Sequence, residues 1–187
     1  MLLGHNAWWD VLNYHLSNPW MLLHGTWGSP LMPAGAQSFL NPLPDLYYYF
    51  LFTCFSNHPM LIAFFMGLPA GLLAWQIYML TCFLWKGEYK EIWAALVALV
   101  SLTGVGTSSQ IGVNTNEILL ANGILASLWA MCYFVGNPNR GRTYIYVAAF
   151  VCGAITGMKL TMAPFCVALL AGYLWQYKRI DKPVKGL

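Results

Sequence analysis

The sequence predicts an all-α protein, a polytopic transmembrane helical bundle with an extracytoplasmic N-terminal loop of short interfacial helices. Three observations predict it. Hydrophobic residues make up 59% of the 187 positions and charged residues only 8%, against roughly a quarter charged in an ordinary globular domain. Several apolar runs are each long enough to cross a bilayer. All nine Lys and Arg lie after residue 85, eight of them in three short segments beside those runs. The net charge of +3 is therefore a topology signal and no argument for a nucleic-acid partner.

Gly4–Ser17 reads GHNAWWDVLNYHLS. As a helix it sets Asp10, Asn13 and Tyr14 on one face at i, i+3 and i+4, with Asn6 one turn earlier. Trp8, Trp9 and Trp20 hold such a helix at headgroup depth. Asn18-Pro19 starts a second short helix that Gly25 ends. A Gly/Pro-rich loop and the stretch Gln37–Pro42 then lead to Leu46–Phe55, LYYYFLFTCF. That run is too short to cross alone. Pro44-Asp45 reads as its start and Asn57-His58-Pro59 as its end, so 45–57 is expected to lie on or half-inserted in the interface.

Five spans are expected after it, at 60–85, 92–109, 118–136, 144–158 and 160–177, the first with Pro69 as a kink. Residues 1–59 thus form an extracytoplasmic loop and 60–187 a transmembrane domain. Lys and Arg resist translocation, which places 86–91, 137–143 and 178–187 in the cytoplasm. Segments 1–59 and 110–117 then fall outside, as does the turn at Lys159, the single exception to the charge rule. A sixth span at 45–57 would instead put a stretch without Lys or Arg on the side where those residues accumulate. No signal peptide precedes the outer loop. A missing upstream span is expected, and with it a chain that is a fragment or a mis-started frame.

The five cysteines all sit in apolar runs without CxxC spacing, so neither a metal site nor a disulfide framework is expected of them. Gly67/Gly71 and Gly153/Gly157 have the spacing that lets helices approach closely, and are expected to serve packing within the chain. The four histidines all lie in the first 58 residues, outside the spans. Facing His pairs for haem are therefore absent from the spans, and no two share the tight spacing of a metal site.

Three charged residues invite a chemical reading beside a plain one. Asp10 can cap or solvate a loop helix, yet it and Asp45 are the only acids in the first 87 residues. Glu117 can be a first-turn carboxylate facing the helix dipole, with Asn114, Thr115 or Asn116 as cap. Alternatively Asp10 and Glu117 converge at the outer surface, where paired carboxylates can bind a divalent cation (Mg or Mn) or divide base and ligand roles. Lys159 can snorkel or offer a fixed cation to a lipid-linked phosphate. His15, next to Tyr14 and near Asp10, is the histidine best placed for substrate contact.

An acid early in the outer loop, a second acidic loop between spans and surface-lying helices between them resemble the GT-C membrane glycosyltransferases. The strings D-x-x-N-Y-H at 10–15, NPW at 18–20, PAGAQSFLNPLPDL at 33–46 and GMKLT at 157–161 are similar to a bacterial branch grouped with GT-C or the mannosyltransferase-like family 87. The resemblance covers nearly the whole chain but the front half of such an enzyme. It implies sugar transfer from a polyprenyl-phosphate donor to an acceptor on the outer face of a bacterial cytoplasmic membrane. It further implies Asp10 as catalytic base, Glu117 as the second-loop acid and Lys159 as phosphate contact. By the same resemblance, Asn13, Tyr14, His15, Gln37 and Asn41 would line the substrate pocket. The chain departs from the pattern in lacking the first span and the paired DD or DE acids. Two other classes stay open: an accessory subunit whose aromatic outer loop docks a partner, and a transporter component, which would call for charges or broken helices at mid-membrane.

Overall fold

A computed structural model describes residues 9–27, 34–137 and 142–180, with side chains as far as 176. Asn6 and Trp8, named above, lie outside the described residues, as do His5, Arg140, Lys182 and Lys185 among the histidines and basic residues counted there. Every regular element among the described residues is helical. They divide into two compact units, residues 1–122 and 123–187, with the boundary inside one helix.

The first unit opens on a π turn, Val11–His15, closed by Leu16 N–H donating to the Val11 carbonyl at 3.2 Å. The expected helix over 4–17 is therefore wider here than an α-helix, each turn spanning five residues instead of four. Helix α1, Ser17–Leu23, ends in a Schellman motif. Gly25 takes the left-handed conformation (φ +68°) while Thr26 N–H reaches the Met21 carbonyl at 2.9 Å. Two 3₁₀ turns, Gly35–Phe39 and Leu43–Asp45, carry the chain to α2, Leu46–Phe55.

Helix α3, Pro59–Leu84, starts on a proline, whose missing N–H costs nothing at a helix start. It buries Ile62, Met66, Ala70 and Leu73 and exposes Leu61, Phe64, Leu68, Leu72 and Trp75. Both sets recur at helical spacing, so α3 is apolar all round, the mark of a buried or bilayer helix. Helix α4, Lys90–Thr103, packs back along α3. The continuous span expected over 92–109 is instead broken at Gly104, whose extended backbone (ψ 137°) separates α4 from the short α5, Val105–Ser108. Glycine is a poor helix former, and Ser101 and Thr103 just before it hydrogen-bond back to the carbonyls of Ala98 and Val100, competing with the helix ladder. Val11, Tyr48, Leu51, Ile62 and Met66 form the core of this unit.

Helix α6, Glu117–Gly136, begins in the first unit. α3 and α6 are the two described helices long and apolar enough to cross a membrane. The second unit holds the rest of α6, then α7, Arg142–Met158, a 3₁₀ turn Leu160–Met162 and α8, Ala163–Ile180. Among its described glycines, a neighbouring helix crowds Gly123. A Cβ built there would lie 2.2 Å from Ile155 Cδ1 and 3.3 Å from Val151 Cγ1. The two GxxxG pairs expected to pack helices within the chain do not do so: a Cβ at Gly67, Gly71, Gly153 or Gly157 would meet nothing within 4 Å. Spacing marks small residues but does not say which of them faces a neighbour. Gly123→Ala should therefore destabilise the chain by about 1–3 kcal/mol through overpacking, and Ile155→Val, which removes the nearest atom, should recover part of that. Thermal unfolding in detergent of the two single variants and the double variant checks it.

Candidate functional site

The acids and polar side chains of the first unit gather where the π turn, the start of α2 and the start of α6 meet. The π turn spans five residues. Asp10 and His15 are thus one such turn apart along the backbone. Asp10 lies close enough to Tyr14 to act on its phenol. The Tyr14 pKa is pushed up to about 12, chiefly by burial. The charge and hydrogen bond of Asp10 add to that, followed by the charges of Asp45 and Glu117. Three carboxylates from three segments thus act on one phenol.

Beside this pair lies a second one. His15, nearly buried, meets Asp45 with Nδ1 2.6 Å from Oδ1. Asn116 donates its side-chain amide to the same Oδ1. Asp45 is only 4% exposed. A buried carboxylate is tolerable only with such partners, and its place at the N-terminus of α2 adds the favourable end of the helix dipole. The His15 ring also packs on Tyr14, with centroids 4.3 Å apart. Asn116 supplies the carbonyl that receives the Leu120 N–H, as a helix-capping residue does, but its side chain goes to Asp45.

The remaining residues named from the sequence have local duties. Asn13 donates to the Trp9 carbonyl at 2.7 Å, and its own carbonyl accepts the Ser17 hydroxyl at 2.5 Å. Gln37 has an exposed side chain, and its carbonyl accepts the amide of the fully buried Asn18 at 3.1 Å. Asn41 folds its side-chain oxygen onto the Leu43 N–H at 3.0 Å, shaping the loop before Asp45. Lys159 belongs to the second unit, half-buried on extended backbone (φ −149°, ψ 111°) between α7 and the turn before α8. The structure thus sets Tyr14 against His15 and within the field of Asp10 and Glu117.

It adds Asp45 and Asn116, which sequence reasoning passed over. Asp45 looked like a helix start, and its rarity as an acid was the signal available. Among the described residues no three His, Cys, Asp or Glu side chains group so as to hold a metal ion. Comparison with models of known families, with curated proteins and with solved structures finds no match for this chain.

The raised Tyr14 pKa has a checkable sign. Its proton is held more tightly in the folded chain than at the ordinary tyrosine value of 10.0. The neutral phenol therefore contributes stability that is fully present below pH 10 and is lost as pH rises through about 12. In a phenolate absorbance titration, the difference between wild type and Tyr14→Phe should appear near pH 12 and not near 10.

Proposed function

We propose that this chain is a membrane-embedded glycosyltransferase of the GT-C type. It moves a sugar from a polyprenyl-phosphate donor to an acceptor hydroxyl at the extracytoplasmic face of a bacterial membrane. One observation supports the proposal: the charges of Asp10 from the N-terminal loop and, more weakly, of Glu117 from the second acidic loop, 107 positions apart, both raise the pKa of Tyr14. Membrane embedding in a polytopic bundle is supported by α3 and α6 and by the exposed, wholly apolar outer stripe of α3, a surface that water would not favour.

The chemistry needs little more. Asp10 takes the proton of the acceptor hydroxyl as its oxygen bonds the anomeric carbon. The bond from that carbon to the phosphate oxygen breaks, and the lipid phosphate leaves with the electron pair. Tyr14, held neutral by its surroundings, donates a hydrogen bond that orients the Asp10 carboxylate. Glu117 keeps the wall negative. Lys159 enters on the sequence alone, as the cation assigned to the donor phosphate. Membranes carrying the chain should transfer radiolabelled sugar from polyprenyl-phosphate donors to lipid or glycan acceptors. No transfer from any of several donors would reject the proposal in favour of an accessory role.

A further inference from the structure

We infer that Asp45 and Asn116 are positioning residues that fix His15 in one tautomer, so that its Nε2 accepts a hydrogen bond from a second hydroxyl of the ligand bound at Asp10. The ligand class rests on the glycosyl-transfer proposal, while the tautomer does not. Asn116 Nδ2 can only donate, and it donates to Asp45 Oδ1. That oxygen is therefore an acceptor, and the His15 Nδ1 placed 2.6 Å from it must carry the proton. A neutral imidazole has one proton, which leaves Nε2 as a bare acceptor. The bond partner of one ring nitrogen sets the role of the other.

The surroundings give that acceptor something to do. His15 is nearly buried, and its ring lies against Tyr14, whose hydroxyl is committed to Asp10. The groups set against it are the Tyr14 ring from its own turn and Asp45 from the start of α2. Asn116 from the start of α6 shares the Asp45 oxygen, and the charges of Asp10 and Glu117 reach the neighbouring Tyr14 phenol. Apart from the phenol and amide already spent, these are acceptors. Such a wall selects a ligand rich in donors, as a sugar or polyol is, and two adjacent hydroxyls can bridge Asp10 and His15 Nε2. Two anchoring bonds then orient the reacting hydroxyl.

The test is nitrogen-15 NMR of histidine-labelled full chain in detergent, with the His15 signals assigned by their loss in His15→Gln. Wild type should show the proton on Nδ1 and a bare Nε2. Asn116→Ala and Asp45→Asn should shift the proton toward Nε2. A wild-type proton on Nε2, read without any variant, overturns the inference, as does a tautomer indifferent to both substitutions. In the transfer assay, His15→Gln should raise the acceptor KM about tenfold, the cost of one lost hydrogen bond to a site that keeps its base, with a smaller fall in kcat. An unchanged KM removes the ligand role. The expected tautomer with no transfer in wild type would support Asp45 and Asn116 as positioning residues while overturning glycosyl transfer.

Discussion

Asp10→Asn should lower sugar transfer by about 10²–10⁴-fold, the range for loss of a positioned general base, while the chain accumulates in membranes at its wild-type level. The substitution keeps size and hydrogen-bonding capacity but removes the basic oxygen. The Tyr14 phenol can still donate to the amide oxygen, so the π turn should hold. Because the base acts only as the acceptor bond forms, the loss should appear in kcat and in kcat/KM alike, with the acceptor KM little moved. A KM effect alone would make Asp10 a binding residue. Equal transfer by both forms would remove it from the chemistry, and a docking role for the outer loop would then fit better. The control is Asn13→Ala. Asn13 shares the same turn, but its amide is spent on the Trp9 carbonyl, and transfer should change by less than about tenfold.

The helical class was legible because it depends on sums: total apolar content, the scarcity of charge and the length of each run. Local turn signals also carried through. Asn18-Pro19 falls in the first turn of α1 and Gly25 just past its end. Asn57-His58-Pro59, read as the end of the preceding helix, does follow α2, with Pro59 itself already the first residue of α3. What stayed hidden depends on partners far away in sequence or on one extra residue in a turn. The π turn adds a single residue per turn and leaves no compositional trace, yet it ends on His15, whose ring lies against Tyr14. The Asp45 site joins residues 30 and 71 positions apart, and nothing near Asp45 announces His15 or Asn116. The break at Gly104 was masked by apolar neighbours on both sides. Gly123, the glycine that a neighbouring helix does crowd, has no partner at GxxxG spacing.

The second large effect concerns Pro69, read from the sequence as a kink and nothing more. Proline has no N–H to give the carbonyl four residues back, and its ring pushes against that carbonyl. In α3 the displaced carbonyl is that of Phe65, and the Tyr47 hydroxyl of α2 donates to it at 2.6 Å. The carbonyl of Pro69 itself accepts the Asn122 amide of α6 at 2.9 Å. The proline thus frees the Phe65 carbonyl that Tyr47 then satisfies, and α2 is tied to α3 through the group the proline released. Tyr47→Phe keeps the ring and its packing but leaves a carbonyl unpaired in apolar surroundings, which should cost about 1–3 kcal/mol. The decisive comparison is the same change in a Pro69→Ala background. Alanine restores an N–H for the Phe65 carbonyl, so Tyr47→Phe should then cost much less, with a coupling of about 0.5–3 kcal/mol between the two positions. Unfolding midpoints of the four forms in detergent measure it. Simple additivity would mean that Tyr47 stabilises by packing alone, and that α2 is not fastened to α3 through the carbonyl that Pro69 sets free.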